Sequence, residues 1–120
     1  MDLTLVIKDL PDRQLSQNQR QHSNFMKLAT LKKEERARAY VLILEALQGE
    51  RPEFKSPTRI TFSVAGLRHD LDGLAGCFKP WMDALVDADI LIDDGPKYVR
   101  SVSYSILDGE DRVEILIEEV

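Results

Sequence analysis

Apolar and polar residues alternate over "LTLVI" (residues 3–7), which puts Leu3, Leu5 and Ile7 on one side of a short strand. From Lys8 to Ala29 the pattern dissolves into polar residues with Pro11, Ser16, Asn18 and Asn24, and reads as a long loop. Thr30 is placed to cap a helix that runs to about Gln48, with Gly49 as its stop. Ala37, Tyr40, Val41, Leu44 and Leu47 recur along it at helical spacing. Pro52 and Pro57 frame a linker, and "RITFSV" (59–64) alternates Ile60, Phe62 and Val64 as a strand with one buried face.

The next apolar set, Leu74, Phe78, Trp81, Met82, Leu85 and Val86, follows the helical period and ends near Asp89. Pro80 sits inside it. A proline interior to a helix clashes with the carbonyl four residues back but is tolerated in the first turn. The helix therefore either begins near Lys79 or is kinked there. "YVRSVSYSI" and "RVEILIEE" read as strands joined through Asp108-Gly109, a hairpin turn dipeptide. The predicted order is β-α-β-α-β-β. Two helices covering one face of a mixed sheet with a C-terminal β-hairpin make one small α+β domain over residues 1–120.

Composition narrows the setting. At 120 residues the chain is long enough to bury a core without staples. Its longest apolar run, "AYVLILEAL" (39–47), is too short for a bilayer and carries a glutamate. No basic-then-apolar leader pattern follows Met1, and the single Cys77 has no internal disulfide partner. The expectation is a cytoplasmic protein without a membrane segment.

Charge changes the picture more. The net charge of −5 divides unevenly: residues 1–60 hold 11 Lys/Arg against 8 Asp/Glu, and residues 61–120 hold 5 against 13. A purely electrostatic nucleic-acid binder is expected to be basic overall, so any DNA contact here must come from a local patch. Arg13, Arg20, Lys27, Lys32, Lys33, Arg36 and Arg38 form the one sizeable basic tract. Lys32 and Lys33 in a first helical turn oppose the helix dipole, and a phosphate backbone nearby would relieve them. The interleaved Glu34 and Glu35 leave open a solvated helix face.

The acidic half is concentrated in "RHDLDGLAGCFKPWMDALVDADILIDD" (68–94), seven aspartates with two strong bases. Asp70 and Asp72 stand two apart at the end of a strand-like segment. In extended backbone they share a side, which is costly unless a proton or cation lies between them. Asp93 and Asp94 follow the helix, where the chain can return to the same end of the sheet. Carboxylate oxygens without an obligatory His or Cys suit Mg²⁺ or Mn²⁺; solvated turn aspartates are the alternative. An EF-hand register is excluded, because it puts Arg68 at the first ligand and Lys79 at the twelfth.

Lys79 and Asp83 are spaced as an ordinary helix-surface pair; Lys79 is also placed to hold a phosphate beside the acidic cluster. Phe78 and Trp81 read as core, and Cys77 as a small packing residue. His69 alternates with Asp70 and points away from it, and His22 lies in the polar loop. No Ser/His/Asp or Cys/His spacing and no glycine-rich phosphate loop is present.

The order of these pieces is more informative than any one of them. "RHDLDGL", then "KPWMDALVDADILIDD", then "YVRSVSY" resembles the RusA-type Holliday junction resolvases, small phage-derived endodeoxyribonucleases. Residues 68–104 carry the match; the last strand and Pro11, Ser16 and Asn18 extend it loosely. Gly73 stands where the family has Asn after its second aspartate, and the Asp72–Lys79 interval is longer than in the shortest members.

The resemblance implies catalytic Asp70, Asp72 and Asp94, with Asp93 beside them at the metal, and Lys79 as the catalytic-site lysine. It implies Mg²⁺ as cofactor, with Mn²⁺ as a possible substitute, and a homodimer that nicks opposed strands of a four-way DNA junction through a metal-activated water. The DNA backbone would be held by Arg13, Arg20, Lys27, Lys32, Lys33, Arg36 and Arg68. Two other expectations compete with it: a branched-DNA binder that has lost turnover, motivated by Gly73 and the low basic content, and a protein-interaction domain whose acidic half meets a basic partner.

Overall fold

The computed structural model describes residues 1–15, 25–66 and 71–120, with Phe25 described in its backbone only. Arg20, His22, Arg68, His69 and Asp70 lie outside the described residues, as do Ser16 and Asn18. The elements are β1 (Asp2–Ile7), a 3-10 turn (Arg13–Leu15), α1 (Phe25–Leu47), β2 (Thr58–Ala65), α2 (Leu71–Asp87), β3 (Val99–Leu107) and β4 (Arg112–Glu119). The expected β-α-β-α-β-β order and α+β class hold.

The four strands form one mixed sheet in the order β1-β4-β2-β3. β4 runs antiparallel to both β1 and β2, while β2 and β3 are parallel. β2–α2–β3 is thus a parallel crossover unit, and β1–α1–β2 is a second one opened by the insertion of β4. One correction follows. β3 and β4 run in opposite directions and are joined by the short 108–111 turn, but they exchange no ladder, because β2 lies between them.

The turn must therefore cross the end of β2. It does so over Gly66, at φ +94°, where a Cβ would collide with the Asp111 carboxylate. Only glycine combines that backbone angle with so close an approach. The turn dipeptide Asp108-Gly109 specifies a reversal, not which strand it leaves in the middle.

The helices cover one face of the sheet. Ile60, Phe62 and Val64 of β2 and Val113, Ile115 and Ile117 of β4 alternate into the core. α2 answers with Leu74, Cys77, Phe78, Trp81 and Leu85. Phe62 and Phe78 stack at 4.7 Å between centroids, and Trp81 meets Phe78 edge-on at 74°. Both aromatics of α2 are core, as the apolar spacing predicts.

α1 begins earlier than the sequence suggests, and in α2 the start near Lys79 gives way to a helix that runs through the proline. α1 starts at Phe25, and Thr30 lies inside it with its hydroxyl donating to the Met26 carbonyl at 3.2 Å. Thr30 satisfies its own side chain rather than capping an end. The expected stop is present: Gln48 and Gly49 take left-handed angles of +52° and +87°. The buried row of α1 is Glu35, Ala39, Ile43 and Leu47, while Ala37 and Val41 face outward. α2 starts at Leu71 and continues through Pro80, which is buried. Pro80 cannot bond the Gly76 carbonyl, and its burial in the helix pair holds the segment helical against that loss.

Candidate phosphate-handling site on the second helix

Asp72, Lys79 and Asp83 fall on one stripe of α2, because seven and four residues are close to whole helical turns. Asp72 is exposed in the first turn of the helix. It is therefore not in extended backbone, and the predicted side-by-side pairing with Asp70 through an extended segment does not apply to it. Lys79 stands two turns further on, roughly 10.5 Å along the axis.

Asp94 reaches Lys79 because the chain turns back after α2. Asp89 takes a left-handed angle of +59°, which ends the helix. Ile90 and Leu91 are buried, and the Phe54 amide donates to the Ile90 carbonyl at 2.8 Å, pinning the returning chain. The Asp94 amide then donates to Asp93 Oδ1 at 2.9 Å, so Asp93 shapes the turn that presents Asp94.

The Lys79 ammonium donates to Asp94 Oδ2 at 3.0 Å and to Asp83 Oδ1 at 3.1 Å. The helix-surface pair expected from the spacing is thus present, and Asp94 meets the same ammonium. Partial burial works against the lysine charge, and the bonds to Asp94 and Asp83 more than offset it, holding its pKa above the ordinary value. The hydrogen bond from Lys79 holds the Asp94 carboxyl below the usual carboxylate range despite some desolvation. Each group favours the charged form of the other.

Three cations of α1 come to the same place. Lys32, Lys33 and Arg36 line a small open pocket of about 170 Å³ with Lys79, Pro80 and Asp83. Arg36 is already engaged: its guanidinium makes two 2.6 Å bonds to the Asp87 carboxylate, which raise its pKa further. Lys32 and Lys33 have no ion-pair partner within the described residues, and both can serve an incoming anion. Arg13 is exposed on its 3-10 turn and Lys27 is exposed near the start of α1; neither lines this pocket.

Next to Arg36 in the chain lies Glu35, for which the sequence left a solvated helix face open. Glu35 is 3% exposed. It accepts from the Asp12 amide at 2.6 Å, the Trp81 indole at 3.0 Å and the Arg38 guanidinium at 2.7 and 3.0 Å. Arg38 also donates to the Leu10 carbonyl at 2.6 Å and lies over the Trp81 ring. One buried carboxylate thereby joins the loop after β1, α1 and α2. Its four-residue spacing from Ala39, Ile43 and Leu47 was the signal that could have revealed it.

Carboxylate oxygens are the donors a hard divalent cation takes, so the chemistry of Asp72, Asp93 and Asp94 suits Mg²⁺. Among the described residues no three His, Cys, Asp or Glu side chains gather as a metal-ligand group; the set implied by the resemblance also includes Asp70, outside them. No helix among the described residues is long and apolar enough to cross a membrane. No protein-family model and no curated protein matches the chain.

Proposed function

We propose that this chain is a metal-dependent endodeoxyribonuclease of the RusA type, which resolves four-way DNA junctions by paired symmetric nicks, acting as a homodimer in the cytoplasm. The observation that carries this reading is the Lys79–Asp94 contact at 3.0 Å beside the Lys32–Lys33–Arg36 pocket. Two residues that the resemblance singles out are bonded to each other, and the phosphate-binding tract it requires lies next to them.

The chain's own residues divide the work. Lys79 keeps its proton well above neutral pH and offers a fixed cation to charge developing on a scissile phosphate. Asp94 orients that ammonium, and Asp83 is released when a phosphate takes its place. Lys32 and Lys33 hold a neighbouring backbone phosphate, which gives salt-dependent and largely shape-directed binding. Asp70, Asp72, Asp93 and Asp94 are the residues that would hold Mg²⁺ or Mn²⁺, which supplies Lewis-acid charge and an activated water when bound.

A second reading, a branched-DNA binder without turnover, is favoured by the two carboxylates that already occupy Lys79 and by Gly73 in place of the family's Asn. Incubation with an end-labelled mobile four-way junction in Mg²⁺ and in Mn²⁺ separates the two. Symmetric nicks absent from a linear duplex control support the endonuclease. Tight junction binding without nicks in either metal supports the second reading. Neither binding nor nicks would remove both and return the acidic half to a protein partner.

A further inference from the structure

The two edges of the sheet are protected very differently. At one edge, the core-facing Leu5 and Ile7 of β1 are covered by α1, at 3% and 4% exposure. At the other, β3 pairs with β2 and with no further strand among the described residues, which leaves its outer row of backbone groups without a ladder partner there. Its core-facing residues Val102 and Tyr104 are half-buried, and Ile106 is 51% exposed. From Ser101 to Leu107 the strand is regular, with its one bulge before Ser101, and carries no charge and no proline. Natural edges are blunted by charge, proline or brevity; this one is long, apolar on one side and unguarded.

The geometry points to a second copy of this chain on that edge: we propose that β3 pairs antiparallel with β3 of its partner about a two-fold axis through Tyr104. That register uses the whole regular stretch. Ser101 lies opposite Leu107, Val102 opposite Ile106 and Ser103 opposite Ser105, with Tyr104 opposite itself. The half-exposed apolar row becomes a set of cross-strand pairs, and both helix layers stay on one side of a continuous sheet.

The charges beyond each end favour the same register over its neighbours. Arg100 enters the strand and Asp108 leaves it, so Arg100 of one copy meets Asp108 of the other, twice per dimer. Both are exposed, and neither side chain has an ion-pair partner within the described residues. Self-complementarity of this kind is what an isologous interface requires. The inference gives a geometry to the homodimer in the reading above. It draws on the edge alone, and an association measurement fails or succeeds independently of cleavage.

Sedimentation equilibrium of the purified chain, with a charge-reversal cycle, tests it. Wild type should dimerise. Arg100→Glu and Asp108→Lys should each weaken the dimer by roughly ten-fold or more, since each puts two like-charge pairs across the strands. The double variant should recover the wild-type constant, because the pairs are restored with reversed sign. Both sites are exposed, and circular dichroism checks that the variants remain folded. A wild type that is monomeric at every concentration overturns the proposal, as does a dimer indifferent to the single reversals or not restored by the double.

Discussion

Glu35 of α1 accepts the indole N–H of Trp81 of α2 at 3.0 Å, inside the seam between the two helices. The same carboxylate receives the Asp12 amide and the Arg38 guanidinium, so the seam has a polar centre in which one group accepts from three residues. Lys79 is two residues before Trp81, and Arg36 is one residue after Glu35. The placement of the pocket cations Lys79 and Arg36 therefore depends on this buried bond.

Removal of the carboxylate should be expensive. Glu35→Ala leaves two buried N–H groups and part of a guanidinium without an acceptor, and should destabilise the fold by about 3 kcal/mol. Glu35→Gln, which keeps one acceptor oxygen, should lose less. Denaturant unfolding followed by Trp81 fluorescence gives both values. A loss below half a kilocalorie for Glu35→Ala would show that the seam is held by packing alone.

The basic pocket predicts a salt signature. Lys32→Ala combined with Lys33→Ala should lower the slope of log K against log[salt] for branched-DNA binding by about 1.8, from two lost phosphate contacts at about 0.9 each. Thermal stability should stay close to wild type, since neither lysine holds an ion pair within the described residues. Anisotropy titrations across a salt series measure the slope, and an unchanged slope places the DNA elsewhere.

Much of this was legible in the sequence. The alternation in "LTLVI" and "RITFSV" located strands correctly, because a sheet with one covered face imposes a two-residue period. The Lys79–Asp83 spacing gave a real contact, because helical geometry is local. What failed was non-local. Nothing near Asp108-Gly109 records that β2 lies between the strands it joins; that is visible only in the collision a side chain at Gly66 would make with Asp111. A solvated face was left open for Glu35 because charge predicts exposure on average, and two of the three donors that satisfy it, Asp12 and Trp81, come from distant segments. Asp94 was assigned by resemblance, and its approach to Lys79 depends on the buried Ile90 and Leu91 folding the chain back.

Cys77 offers a check on the core. Burial, reinforced by the negative charges of Glu35 and Asp12, pushes its thiol up to about 12. At about pH 8 only about one part in ten thousand is thiolate, so the native protein should resist a thiol reagent and react fully once unfolded. Rapid labelling of the native chain would contradict the burial of Cys77.

The Lys79–Asp94 pair has a defined pH window. The Asp94 pKa is depressed in the folded chain, so the pair contributes above the unfolded value, near 3.9, and is lost as pH falls through the folded one. The lysine pKa is raised, so its contribution is complete below the unfolded value and is lost as pH rises through the folded one. A carbon-detected titration should place the Asp94 midpoint below the ordinary aspartate value, and Lys79→Met should move it upward. A midpoint unaffected by that substitution would mean the two side chains do not meet in solution.

The central claim is that Lys79 and Asp94 act together on a DNA phosphate. Single-turnover nicking of a labelled four-way junction in Mg²⁺ tests it most directly, with wild type, Lys79→Met and Asp94→Asn compared and junction binding measured on the same samples. The account predicts paired nicks from wild type and a loss of at least about a hundred-fold in rate for each variant, as for removal of one charge-stabilising group, while Asp94→Asn still binds the junction. Nicking by either variant at the wild-type rate would contradict it.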